Sequence, residues 1–378
     1  MILMIFVNDL WSLKNIPDWL GHVARDVDGM GLADTIFPAF LFIVGMSLPF
    51  AINARIKKGA TKIQLFQHVI VRTIALLTMG VFLVNGESIN TAATHIPAGL
   101  WNPLCCIAFI LIWNTYPNMR SKGMIYALRS VGIATLVILA FRYRGGHTEA
   151  LQLFSPKWWG ILGLIGWSYL AAAIVVILSR NNRYRLLAGW LFFCCLSLLS
   201  SAGLIPSGGF LIIIPNAILG GTLPALTMGG VLTAVLFQHY RQQQNMKKMT
   251  LIFSLAAIAL VILTVITRPY WGISKLGETP AWLFICSAIT LSAFLIIYWI
   301  ADGYTMSHWF KWIRPAGTDT LLCYLTPYLL YGFIRLVGFH FPAAVLSGSA
   351  GLFKSMLLAL FCVAITYGLN RGGIRLKL

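Results

Sequence analysis

The sequence predicts an all-α polytopic membrane protein, a bundle of about 11–12 transmembrane helices. Three observations lead there. Of the 378 residues, 59% are hydrophobic and only 10% charged, with a mean hydropathy of +0.82; a soluble chain needs roughly a quarter of its residues charged to cover its surface. Apolar runs of near-spanning length recur from one end of the chain to the other. The basic residues behind the net charge of +18 fall mainly in the short polar connections between those runs, where a multi-pass membrane protein carries them.

The elements follow in order. Met1–Leu13 is apolar but short for a span and lacks the basic start and cleavage site of a signal peptide, so it reads as the end of a first helix whose beginning precedes this sequence. Further spans are predicted near 33–52, 69–84, 99–116, 123–141, 159–178, 186–205, 211–237, 250–267, 281–300, 319–337 and 350–369. The stretch 206–237 is rich in Gly and Pro and is expected to be broken or re-entrant. The Gly pairs at 208–209, 220–221 and 229–230 suit close helix packing. No internal repeat is evident, and residues 1–378 read as a single transmembrane domain.

Orientation follows from the connections. Seventeen basic residues fall in one alternate set, among them Arg55, Lys57, Lys58, Arg183 and Arg375, against seven in the other, among them Lys14, Arg25, Arg268 and Lys275. The bias puts the first set and the C-terminus in the cytoplasm. Nucleic-acid binding is excluded as the reason for the charge, because no basic amphipathic face gathers it. The seven cysteines lie inside apolar runs without a CxxC pair and read as small buried residues. P-loop, GxSxG, HExxH and GxGxxG signatures are missing, and no metal constellation is apparent.

Eight of the ten acids lie on or near the predicted outer side, and four of them crowd the segment 18–34: Asp18, Asp26, Asp28 and Asp34, together with His22. An imidazole titrates near neutrality, so His22 can accept and return a proton or attack an acyl group. A neighbouring carboxylate, Asp26, Asp28 or Asp34, can orient the ring and stabilise its charged form. Asp34 opens an apolar run, which suits either a functional group facing the bundle or a helix cap. Within the spans stand Arg72, Arg129, Arg335 and Lys354. Each either snorkels to a headgroup or points into a cavity. Arg72, with Arg55, Lys57 and Lys58 nearby, forms a positive region for a strongly anionic cytosolic ligand.

Residues 5–50 carry a longer pattern: Ile5-Phe-Val-Asn8, then His22, then Asp28-Gly-Met-Gly-Leu-Ala-Asp34-Thr-Ile-Phe-Pro38-Ala-Phe-Leu-Phe-Ile-Val-Gly45-Met-Ser47. This resembles the signature of the lysosomal heparan-α-glucosaminide N-acetyltransferase family and its bacterial, DUF5009-type relatives. Weaker likenesses follow at Ile161–Tyr169, without the family's Gln-Arg pair, and at Pro315–Tyr324, where Asp319 stands near the usual Asn.

The resemblance implies a membrane-embedded acyltransferase. Cytosolic acetyl-CoA would supply an acetyl group to a sugar amine or hydroxyl of a periplasmic or outer-side glycan. It implies His22 as the catalytic histidine; Asp34 and Asp28, close by in the sequence, are expected to act with it, and the positive region of Arg55, Lys57, Lys58 and Arg72 is expected to bind acetyl-CoA. Asn8, Asp9 and Asp26 would hold the acceptor, and no metal is expected. The expected partners are membrane lipids, acetyl-CoA and the glycan or amino-sugar acceptor, with a homodimer left open and no nucleic acid. The expected location is a bacterial inner membrane. The competing class is a transporter or flippase of a glycan or lipid precursor, which would need two accessible states and a midplane site.

Overall fold

The computed structural model describes residues 1–117, 119, 121–147, 149–180, 182–206, 214–304 and 306–378. Twelve helices longer than one turn are described. They are α1 (Ile2–Asp9), α2 (Leu32–Lys57), α3 (Lys62–Asn85), α4 (Ala98–Trp113), α5 (Lys122–Arg142), α6 (Gly160–Ser179), α7 (Arg183–Ser201), α8 (Thr222–Gln242), α9 (Met246–Trp271), α10 (Pro280–Tyr298), α11 (Thr320–Leu336) and α12 (Gly348–Arg371). Among the described residues, β pairing is confined to isolated bridges.

The protein is an all-α, multi-pass membrane protein. Among the described residues, eight helices are long and apolar enough to cross a bilayer: α2, α3, α5, α6, α7, α9, α10 and α12. The remaining expected spans are shorter apolar helices at Ile2–Ser12, Gly99–Trp113 and Thr320–Leu336, together with α8, whose apolar run is diluted by Thr222, Thr227, Thr233 and paired glycines. Rows of large apolar side chains stand uncovered, such as Leu251, Leu255, Ile258, Ile262 and Val265 on α9, and Val131, Ile138 and Phe141 on α5. Water would not tolerate such stripes, whereas hydrocarbon matches them.

Two expectations are corrected in detail. Of the span expected near 211–237, the residues described from 214 form a single turn at Asn216–Leu219 and then α8 from Thr222. Gly221 enforces the break: its φ is +71°, and a Cβ there would lie 2.5 Å from the Phe193 carbonyl oxygen. Residues 211–213, the Gly208–Gly209 pair and the loop residue Arg120 lie outside the described residues. Six cysteines are buried as expected, but Cys195 is exposed on α7.

The chain divides into two compact units. The first comprises Met1–Pro17, Ala75–Gly163 and Phe310–Leu378, and the second Asp18–Ile74 and Leu164–Trp309. In the first, α4 packs on α5 and α11, and α1 packs on α12. Trp101 is fully buried there and donates from its indole nitrogen to the Phe82 carbonyl oxygen at 2.9 Å, so its polar atom is satisfied inside the aromatic core. The second unit is organised on α8, which packs on α2, α7 and α10, and on the α9–α10 pair. The α2–α8 contact is close because small residues face backbone on both sides. A Cβ on Gly45 would sit 1.8 Å from the Thr227 carbonyl oxygen, and one on Gly230 would sit 1.8 Å from that of Phe42. Pro38 and Pro49 lie inside α2 without ending it.

Candidate active site

In the second unit, the segment before α2 is folded by backbone needs before any side chain acts. A 3-10 turn at Asp18–Leu20 brings the Gly21 N–H to the Asp18 carbonyl at 3.1 Å. The chain then returns so closely that a Cβ on Gly31 would lie 2.0 Å from the Gly21 carbonyl oxygen. Gly31 caps α2, and Asp34, in its first turn, reaches back to the cap. Asp34 Oδ2 accepts from the Gly31 and Val23 N–H groups, each at 3.1 Å. This is the carboxylate half of a capping box, at the helix end where negative charge is favoured.

The cap is also the partner of the histidine. Asp34 Oδ1 lies 2.7 Å from His22 Nδ1, the carboxylate side chain being 2% exposed and the imidazole 49%. Lys275, from the loop between α9 and α10, brings its Nζ to 3.2 Å from His22 Nδ1 and 3.8 Å from Asp34 Oδ1. From below, the fully buried Trp282 donates its indole N–H to the Asp34 backbone carbonyl at 3.1 Å. The carboxylate is thus held by two backbone N–H groups on one oxygen and faces the ring and the ammonium with the other. A carboxylate at 2.7 Å requires a proton on Nδ1, which leaves the Nε2 lone pair as the chemically free position of the ring.

The loop that carries Lys275 is pinned to the segment that carries His22. Asp28 accepts from the Arg268 Nε at 2.9 Å and from the Ile273 N–H at 2.7 Å. These hydrogen bonds hold its carboxyl below the usual carboxylate range. Ser274 Oγ donates to the Arg25 carbonyl at 2.9 Å, and the Gly29 N–H donates to the Ile273 carbonyl at 3.0 Å. Burial lowers the Lys275 pKa, against the opposing pull of Asp34. Burial likewise pushes Glu278, in the same loop, up to about 7, partly offset by Arg25.

The expected site residues therefore separate. His22 and Asp34 meet; Asp28 is engaged by Arg268 and a backbone amide; Asp26 is exposed. Asn8 and Asp9 belong to the first unit. Asp9 is 3% exposed there, with Lys354 Nζ at 2.6 Å, Ser355 Oγ at 2.5 Å and the Tyr331 hydroxyl also bonded to it. Asn8 is half-buried on α1. Arg55, Lys57 and Lys58 are exposed at the end of α2. Arg72 is half-buried on α3, its guanidinium 4.8 Å over the Tyr169 ring and its Nε buried without a hydrogen-bond partner. Sequence reasoning counted Lys275 only as a loop cation for topology, and Glu278 only as an outer-side acid; the signal available was their position in the short polar stretch between two long apolar runs. Among the described residues, no group of three or more His, Cys, Asp or Glu could hold a metal ion.

Comparison with known proteins gives the family. Residues 9–206, just over half of the chain, match the family described as "Domain of unknown function (DUF5009)", and the chain belongs to it. It is also 30% identical over 89 residues to the heparan-alpha-glucosaminide N-acetyltransferases of Mus musculus and Homo sapiens. That stretch covers 22% of this chain and 12% of the length of each relative.

Proposed function

We propose that this member of the DUF5009 family is a membrane-embedded acyltransferase that moves an acetyl group from acetyl-CoA to a sugar amine or hydroxyl of a glycan on the opposite side of the membrane. The observation that carries the reading is the His22–Asp34 pair, with a half-exposed ring and a buried, fully anchored carboxylate. His22 Nε2 takes the proton from the acceptor nitrogen or oxygen as that atom attacks the thioester carbonyl. The new C–N or C–O bond forms, the C–S bond breaks, and the departing thiolate receives the proton back from the ring. Attack by Nε2 on the thioester, followed by transfer from the acyl-imidazole, uses the same free nitrogen. In either route Asp34 holds the ring orientation and balances its positive charge.

The donor side is supported by one helix pair. α2 carries Asp34 in its first turn and Arg55 and Lys57 in its last, a rise of about 32 Å, close to the hydrocarbon thickness. α3 returns after a short connection, and Arg72 lies about 15 Å along it from Lys62. The half-buried guanidinium supplies positive charge that suits a phosphate oxygen. With Arg72 contributing at that depth, the pantetheine arm need cover only the rest of the way towards His22. The orientation that the basic residues imply, with a cytoplasmic C-terminus in a bacterial inner membrane, would put Arg55, Lys57 and Lys58 on the side where acetyl-CoA is made, with Arg72 deeper along the path.

The test is transfer of label from acetyl-CoA to a panel of amino sugars and envelope glycans by the purified protein in detergent. We expect product with the unmodified chain and a rate lower by about 10²–10⁴-fold with His22→Ala at equal CoA binding. Near-normal transfer by His22→Ala overturns the site. Unlabelled glycan crossing proteoliposomes without CoA would replace the reading with transport.

A further inference from the structure

We propose that Lys275 is a positioning residue for the His22 site, holding the Asp34 carboxylate so that it keeps the imidazole proton on Nδ1 and leaves Nε2 open to substrate. The proposal rests on the acyl-transfer reading. It adds a side chain from a loop some 250 positions away in the chain, and no feature of the signature segment contains it.

The argument begins with the three atoms that crowd one point. His22 Nδ1 has Asp34 Oδ1 at 2.7 Å and Lys275 Nζ at 3.2 Å. A ring nitrogen is either a donor or an acceptor, never both. Were Lys275 donating to an Nδ1 lone pair, Asp34 would face the same lone pair with a carboxylate oxygen at 2.7 Å, two acceptors in repulsive contact. With the proton on Nδ1, the carboxylate accepts it; the ammonium, a donor facing a donor at 3.2 Å, then makes no hydrogen bond to the ring and acts on Oδ1 as an ion pair at 3.8 Å. Every charge then has an opposite neighbour.

The surroundings make that ammonium count. The Asp34 side chain is 2% exposed and that of Lys275 21%, so solvent screens their attraction only partly. Oδ2 is already committed to two backbone N–H groups, leaving Oδ1 as the oxygen on which ring and ammonium act together. Without the ammonium, the carboxylate would face the membrane end of the bundle with only the ring to balance it. The other charged and titratable groups around this point leave Lys275 that task. Asp28 is satisfied by Arg268 and the Ile273 amide. Arg25 acts on Glu278. Cys286, packed beneath on α10, approaches the Asp34 carbonyl with its Sγ at 4.0 Å. The Lys275 backbone is fixed as well, since Ile273 and Ser274, just before it, are tied to Asp28, Arg25 and Thr279.

A second cation beside the ring has a kinetic consequence. Its place beside Oδ1 fixes which carboxylate oxygen meets the ring, so losing it should disturb the Nε2 geometry and lower turnover, with acetyl-CoA binding left alone.

The experiment compares Lys275→Met, Lys275→Ala and Lys275→Arg with the unmodified full-length protein in detergent, measuring acetyl transfer from labelled acetyl-CoA. We expect Lys275→Met to lower kcat by about 10²-fold, the low end of what acid–base placement contributes, with KM for acetyl-CoA within about twofold, because the donor contacts lie elsewhere. Lys275→Arg should recover most of the rate. Exogenous propylammonium should raise the rate of Lys275→Ala but not of His22→Ala, a response that a merely structural lysine would not give. An unchanged kcat in Lys275→Met, alongside an inactive His22→Ala, overturns the proposal and leaves the acyl-transfer reading standing. Normal transfer by His22→Ala overturns both.

Discussion

Two places in this molecule set an aspartate against a lysine, and they end differently. In the first unit, Asp9 receives Lys354, Ser355 and the Tyr331 hydroxyl, Lys354 also reaches Ser12 Oγ at 3.3 Å, and its ammonium lies 5.5 Å from the centre of the Phe341 ring. Both carboxylate oxygens are taken and both side chains are nearly closed to solvent, at 3% and 11% exposed. In the second unit, Asp34 and Lys275 are comparably enclosed, but the third member is an imidazole with half its surface open and one nitrogen without a role in the network. Saturation makes the first cluster a fastener between α1, α11 and α12. The open valence makes the second one capable of chemistry. An ionisable group inside a membrane protein is a functional candidate by default, and this contrast shows how the default is decided: by counting what the group has left to offer.

Substitutions sharpen the contrast. The largest effect should come from His22→Ala, which should lose about 10²–10⁴ in transfer rate if the ring acts as a base, with heat stability in detergent close to that of the unmodified protein because the ring is half exposed. Asp34→Asn should lose a comparable factor if carboxylate and ring act as one unit, and should also lower the melting point, since Asp34 caps α2. A His22→Ala protein that unfolds early would mean that the open cluster is structural after all.

Lys354→Met should do the reverse. Removing one partner of a buried ion pair typically costs about 3–5 kcal/mol, so the thermal midpoint should fall clearly while the transfer rate of the surviving folded fraction holds. Pairing it with Asp9→Asn should recover part of the loss. Unchanged stability in Lys354→Met would remove the fastener assignment.

Arg72→Ala comes next. Loss of one charge-assisted contact should weaken acetyl-CoA binding by about tenfold and reduce its salt dependence, both readable by ligand-dependent heat stabilisation. Affinity equal to that of the unmodified protein would move the donor phosphates away from α3.

The smallest effect concerns pH. Burial raises Glu278 to about 7 in the folded protein, above its unfolded value of about 4.3. Between those values the unfolded chain releases the proton while the folded one keeps it, so this group makes stability fall as pH rises from about 4.3 towards 7 and level off above. Glu278→Gln should therefore match the unmodified protein at low pH and exceed it at pH 8. Parallel pH profiles of the two midpoints would show that Glu278 ionises normally.

Much of the architecture was legible because hydrocarbon imposes it. A run such as 250–267 is helical and membrane-spanning whatever its partners, and α9 is observed at Met246–Trp271. Of the two forms expected for 206–237, broken or re-entrant, the described residues show a break, at Gly221, and a composition count cannot locate that residue. At the site, His22 and Asp34 could be suspected together because twelve positions separate them within one signature. Their third partner could not, since Lys275 is an ordinary loop cation until the chain folds. The same holds for Asp28 and Arg268, 240 positions apart. Asp28 and Asp34 look interchangeable in the sequence; three-dimensional pairing is what tells them apart.

The close approach of α2 and α8 has a mechanical consequence. Where a Cβ at Gly45 or Gly230 would lie 1.8 Å from the facing backbone, the helices have no compliant layer of side chains between them, and protein interiors compress little. The two rods bend as a single thicker beam, with a stiffness well above that of either alone. The Asp34 carboxylate sits at the tip of that beam, so thermal agitation along the span reaches it damped. The hydrogen-bonding frame around His22 is thereby referenced to a closely packed helix pair, not to the loop in which the histidine itself resides.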